Sequence, residues 1–185
     1  MENPHPAKNG PSGLRDVVAP DVPQQNVDDL DLAILMELTE DSRTSARQLA
    51  SKLGVSSPTI GDRMSRLERN GVIVRYSAEI NWAALGHSQS VYVAVDVSDR
   101  SLVAEVLKEL WEIPEVETIS VVTGQWDLIV RLRVRDYNHM RSILIDRVWE
   151  IPVAEVKMTT MMSVAEMPSK DFAHALIMQI MADRK

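Results

Sequence analysis

The 185-residue chain contains no cysteine. Disulfides and thiolate metal sites are therefore excluded, and the absence fits a reducing, cytoplasmic setting. No apolar run approaches the roughly 18 residues that a membrane-spanning helix requires, so no membrane partner is expected. Residues 1–26 hold no apolar stretch of the kind a secretory leader needs. The four histidines, His5, His87, His139 and His174, are scattered, and no close pair of them suggests a metal ion. Paired carboxylates, a phosphate-cradling Gly loop and a Ser/His/Asp arrangement are all missing. No cofactor is expected. Aromatic residues make up only 4% of the chain, yet hydrophobic residues reach 45%, enough for real cores in two domains.

The net charge of −7 argues at first against nucleic acid, but its distribution matters more than its sum. Between Arg43 and Arg75 there are seven basic residues against two acids, Asp62 and Glu68. Between Trp82 and Pro168 eight basic residues face thirteen acidic ones. One segment attracts phosphate and the other repels it. A solvated helical surface would look the same by charge alone.

Five prolines (Pro4, Pro6, Pro11, Pro20, Pro23) and few large apolar side chains mark residues 1–27 as a disordered arm. Helical periodicity begins with Leu30, Ile34, Leu35 and Leu38, capped by Asp28 or Asp29. A second helix follows the N-cap Ser45 and buries Leu49, Ala50 and Leu53. Gly54 breaks it. A third starts after Ser56, carries Pro58 in its first turn where a missing N–H costs nothing, and ends at Asn70-Gly71. Residues 72–80 alternate as a strand. Helix, tight turn, helix and strand form a winged helix-turn-helix over residues 28–81, in which the third helix can lie in a DNA major groove. A generic three-helix bundle is the plain alternative.

After a linker at 82–89, residues 90–168 read β-α-β-β-α-β, the ferredoxin-like order, for an α+β protein overall. The strands are 90–97, 118–123, 128–134 and 155–164; the helices are 101–110 and 138–149. Trp111-Glu112-Ile113-Pro114 after the first helix is echoed by Trp149-Glu150-Ile151-Pro152 after the second. Both Trp residues are expected to plug the core. Residues 169–185 form a C-terminal helix capped by Ser169, with Phe172, Leu176 and Ile180 on one stripe. Such a helix folds back on its own domain or packs on a neighbouring subunit, and the subunit reading is preferred.

Leu30-Asp31-Leu32-Ala33-Ile34-Leu35, Arg43-Thr44-Ser45-Ala46-Arg47-Gln48-Leu49-Ala50, Gly54-Val55-Ser56 and Arg63-Met64-Ser65-Arg66-Leu67-Glu68-Arg69-Asn70-Gly71-Val72-Ile73 together resemble the Lrp/AsnC (leucine-responsive, feast/famine) regulators. Ala84-Leu85-Gly86 and Thr123-Gly124-Gln125-Trp126-Asp127 extend the resemblance, which covers residues 28–167. It implies a DNA-binding domain followed by a RAM-type domain that oligomerises, as a dimer or higher assemblies such as octamers, and senses a small molecule, usually an amino acid.

On the third helix, Ser57, Thr59, Asp62, Arg63 and Arg66 are the candidates to face double-stranded DNA. Arg66 is the first choice, because a guanidinium can grip guanine or phosphate with two N–H groups. Arg63 either reaches DNA or pairs with Asp41 or Glu68. Arg43, Arg47 and Arg75 are candidate phosphate contacts. In the second domain, Gly124, Gln125, Trp126 and Asp127 read by themselves as a hairpin turn. With the resemblance they become an effector site: Asp127 for the ammonium of an amino acid, the turn's N–H groups for its carboxylate, and Thr159 and Met161 for its side chain. Two other functions stay open: an architectural DNA-binding protein without effector, and an enzyme resembling the tetrapyrrole (siroheme) decarboxylases of the same architecture.

Overall fold

A computed structural model describes residues 23–151, 156–163 and 172–184. The N-terminal arm up to residue 22, Pro152 of the Trp-Glu-Ile-Pro echo, residue 155 at the start of the expected last strand and residue 164 at its end, and the Ser169 cap lie outside the described residues. The described residues form two compact units: 23–79 with 172–184, and 80–151 with 156–163.

The first unit begins with α1 (Asp29–Glu40). Asp28 caps it, accepting from the Asp31 N–H, while the Asp31 carboxylate accepts from the Asp28 N–H. This reciprocal box satisfies two donors that the first turn would otherwise leave open. Ser45 and Gln48 build the same box at the start of α2 (Ala46–Leu53). Gly54 then closes α2 in the left-handed region at φ 70°, where a side chain would be strained. Ser56 caps α3 (Ser57–Arg69), with Pro58 in the first turn. Ile34, Leu38, Leu49, Ala50, Ile60 and Leu67 meet in one core.

The predicted strand at 72–80 is not formed. Val72 and Ile73 fold back on the Leu67 carbonyl, and residues 74–80 run outside any sheet. Val74, Tyr76 and Ile80 are exposed. Alternation gives a strand two faces, but it supplies no neighbour for the backbone ladder.

The C-terminal helix α6 (Phe172–Ala182) packs one of its sides along α1 of its own chain. Arg184 donates to the Val27 carbonyl at 2.7 Å and lies 3.8 Å from Asp29. At the other end His174 lies 3.7 Å from Glu40. The two helices are therefore antiparallel. Leu32 is almost fully buried and lies roughly 160° around α1 from Ile34.

The second unit is an antiparallel sheet in the order β2-β3-β1-β4. Its strands are β1 (Gln89–Val97), β2 (Val116–Val121), β3 (Leu128–Val134) and β4 (Val156–Met162). One face is covered by α4 (Val103–Trp111) and α5 (Tyr137–Ile143). Val91, Val93, Val95 and Val97 of β1 and Leu128, Val130, Leu132 and Val134 of β3 all point to the helices and are buried. The period of two puts every second residue on that side. Tyr92, Ala94, Ile129, Arg131, Thr159 and Met161 occupy the opposite face, since directly paired antiparallel residues share a face.

Neither Trp plugs this core. Trp111 is 42% exposed and Trp149 66%. Leu110, Ile113 and Val148, beside them in sequence, are buried instead. The predicted helix to residue 149 also changes character: after Ile143 the chain makes a π turn over Leu144–Val148. Leu110→Ala should lower unfolding free energy by about 2–5 kcal/mol, while Trp149→Ala should stay within about 0.5 kcal/mol of the parent. Urea unfolding followed by circular dichroism checks both, and equal losses would contradict this core.

Candidate nucleic-acid interface and small-molecule site

Helix α3 is positioned by a carboxylate it does not own. Asp31 of α1 has no solvent exposure. Arg63 donates to its Oδ1 at 3.2 Å, Arg66 donates to its Oδ2, and the Asp28 N–H reaches Oδ2 at 2.9 Å. Arg63 also pairs with Asp28. A buried charge is tolerable only with such partners, so the two helices are tied at a fixed angle. This corrects the expected partners of Arg63: they are Asp28 and Asp31, not Asp41 or Glu68. Arg66, expected to reach DNA, is likewise engaged inside the unit, though its side chain stays 41% exposed.

The solvent side of α3 shows Ser57, Thr59, Asp62, Ser65 and Arg69 exposed. Thr59 Oγ1 is 2.7 Å from Ser56 Oγ. Arg43, Arg47 and Arg75 are exposed as well. Arg69 was not among the expected contacts. Its signal was available: it stands seven residues after Asp62, two helical turns along the same face. Behind the helix, the Tyr76 hydroxyl donates to Glu68 at 2.9 Å. Partial burial, followed by the Glu68 carboxylate, pushes this phenol up to about 12, so it remains a donor at neutral pH.

In the second unit, Gly124-Gln125-Trp126-Asp127 forms the turn between β2 and β3. Gly124 has φ 121°, and a side chain there would be strained although there is space for one. Asp127 ties the turn to β1. Its N–H donates to the Val95 carbonyl and its Oδ2 accepts from the Val97 N–H, each at 2.9 Å. Its carbonyl accepts from Val122. One carboxylate oxygen is thus engaged in holding the hairpin. Gln125 is exposed and Trp126 half-buried. Thr159 stands opposite Ala94 and Met161 opposite Tyr92, one strand beyond β1 and progressively farther from the turn. The four turn residues are together in one segment; the two β4 residues lie on the sheet face.

A cleft of about 290 Å³ was not foreseen. It is lined by Trp82, His87, Pro114, Glu115, Val116, Glu117 and Arg133. Glu117 lies 3.2 Å from both Arg131 and Arg133. His87, expected at the surface or an interface, is half-buried and meets the His139 ring edge-on at 6.0 Å between centroids. His139 Nε2 is 3.2 Å from Glu115.

Comparison with known proteins adds two matches. Residues 27–74 match the family model of winged helix-turn-helix DNA-binding domains, and residues 90–169 match that of the Lrp/AsnC ligand binding domain. The chain belongs to the Lrp/AsnC family. An uncharacterized HTH-type transcriptional regulator of Pyrococcus abyssi is 32% identical over 68% of this chain and 78% of its own length. LrpA of Mycobacterium tuberculosis is 34% identical over 64% of this chain and 79% of its own. Among solved structures, Escherichia coli AsnC superposes with a TM-score of 0.74 at 21% identity, covering 80% of this chain and 99% of that one, a likeness of fold. A feast or famine regulatory protein of M. tuberculosis, complexed with L-methionine, gives 0.70 at 30% identity over 78% and 96%. This Lrp/AsnC chain is therefore a DNA-binding transcriptional regulator with a ligand-binding domain. Among the described residues no helix is long and apolar enough to cross a membrane.

The Asp28 ion pair has a pH signature. The hydrogen bond from Arg63, and after it the backbone N–H of Asp31, holds the Asp28 carboxyl at about 2, below its ordinary 3.8. A carboxyl depressed by folding stabilises fully above its unfolded value, and that contribution is lost as pH falls through the folded value. Arg63→Ala should therefore lower the melting temperature most above pH 4, with the gap to the parent narrowing from pH 4 to pH 2. Melting curves across pH 6 to 2 test this; a gap independent of pH contradicts the pairing.

Proposed function

We propose that this regulator recognises specific double-stranded DNA as a homo-oligomer, a dimer or higher, and that an amino acid bound to its second unit controls the assembly or its DNA contacts. The observation that carries the effector is the L-methionine complex of the M. tuberculosis regulator, 30% identical and matched over 96% of its length. The chemistry of this chain supports the reading. An amino acid needs an anion for its ammonium and N–H donors for its carboxylate. The Asp127 carboxylate is the candidate anion, and the Gly124–Gln125 backbone the candidate donor set. Thr159 and Met161 on the open sheet face are the candidate contacts for the side chain.

For DNA, exposed Ser57, Thr59 and Asp62 at the start of α3 present groups to base edges. Arg66 contributes from its anchored position: a guanidinium carries five N–H donors, and Asp31 uses one of them. Arg69, Arg43, Arg47 and Arg75 face phosphates. A dimer offers two such helices, and two half-sites raise affinity through effective concentration.

The effector reading is tested by melting the full chain against each of the twenty amino acids at millimolar concentration. A ligand at 100 times its Kd stabilises by about 2.7 kcal/mol per site, which gives a visible rise in midpoint. Asp127→Asn retains an acceptor for the Val97 N–H but loses the charge, so it should fold and lose the rise. No rise with any amino acid in the parent favours an effector-independent DNA organiser, and an unchanged rise in Asp127→Asn removes Asp127 from the site.

Fluorescence anisotropy separates the arginines. Arg66→Ala should weaken binding to a selected cognate site by about 1–3 kcal/mol. Arg69→Ala should weaken every duplex similarly and reduce the salt slope by about one. Parent-like binding by either variant rejects its contact.

A further inference from the structure

Helix α6 has two apolar sides, and α1 covers only one. His174, Ile177 and Met181 are half-buried, and they fall within roughly 60° of one another around the helix. On the other side, Phe172, Leu176 and Ile180 are 70%, 45% and 38% exposed. They follow one another at four-residue spacing, a continuous ridge. Between Phe172 and Ala182 there is no Asp, Glu, Lys or Arg; the sole titratable group, His174, is turned to Glu40. The anchor contacts of Arg184 with Val27 and Asp29 keep the helix from turning over to hide the ridge.

We infer that this ridge is an interface with the α6 of a second copy of the chain. Two features of the ridge select that occupant. It is uncharged along its whole length, so its complement must be uncharged too, and α6 itself offers such a surface. It is also symmetric about Leu176, with a large apolar residue four positions to each side. In a two-fold contact, residue i meets j and j meets i. An antiparallel pair of α6 helices sets Phe172 against Ile180 of the second copy and Leu176 against its own counterpart. Three side chains per copy cover less than the roughly 1,000 Å² of a self-sufficient interface. The contact therefore adds to an assembly held mainly elsewhere. It has a consequence for DNA: α6 is fixed to α1, and α1 holds α3 through Asp31, so the pairing sets the spacing of two recognition helices.

The absence of cysteine makes the test direct. Leu176→Cys in the full chain places one thiol on the two-fold axis, and Met178→Cys places one roughly 160° away around the helix. Under mild oxidation with copper-phenanthroline, Leu176→Cys should give a disulfide-linked dimer at least about tenfold faster than Met178→Cys. Equal rates, or no dimer from Leu176→Cys, overturn the inference. Leu176→Asp, which sets like charges against each other, should raise the dissociation constant of the assembly at least about tenfold in sedimentation, with an unchanged circular dichroism spectrum. Unaltered sedimentation overturns it; if that variant unfolds, the cysteine pair decides. An intact amino-acid response without cross-linking rejects the helix contact and leaves the effector reading standing.

Discussion

A single buried carboxylate organises the DNA-binding unit. Asp31 is sealed from water and surrounded by the guanidiniums of Arg63 and Arg66 and the N–H of Asp28. Removing an ion from water is costly, and only a full set of partners offsets it. The arrangement is therefore specific in angle and register as well as in composition. It fixes how α3 leaves the surface of α1, and so which residues of α3 face outward. The apolar core of Ile34, Leu49, Ile60 and Leu67 would tolerate small rotations of the helices; the ion cluster does not, because hydrogen bonds to a carboxylate are directional.

The same helix α1 carries α6 on its far side. Helix α1 is thus sandwiched, with the hydrophobic core and Asp31 on one side and the C-terminal helix on another. This explains why its apolar residues occupy more of its circumference than a surface helix requires. In the second unit the organising element is different. The hairpin turn is held to β1 through Asp127, so its geometry is part of the sheet rather than that of a free loop.

Local chemistry made much of this visible from the sequence. Ser45, Ser56, Gly54 and Pro58 state the helix ends, because caps act over three or four residues. The Val alternation in β1 and the apolar alternation in β3 state the sheet and its buried side. Distant pairings were hidden. Asp31 reads as one of several acids at a helix start; nothing local says that residues 32 and 35 positions later will close on it. The same limit hid the partner of α6 within the chain: its apolar character was plain, but its contact with α1 was not. The Trp residues misled because large size and apolarity suggest burial, whereas their neighbours Leu110, Ile113 and Val148 already fill the space. At the candidate sites, residue types and turn were legible, while the engagement of Arg66 and Asp127 by their own fold was not.

The π turn after α5 changes which residues of the segment reach the core. Met140 and Ile143 are buried, and a regular helix would next bury position 147. Here that position is an exposed Arg, and Val148 takes the place in the core. The π turn takes up one more residue than an α turn would, so Val148 rather than position 147 reaches the core. Chain length and core register are uncoupled at this point. The segment is therefore a place where insertion or loss of a single residue is accommodated, in contrast to β1 and β3, where a one-residue change would turn every following side chain to the opposite face.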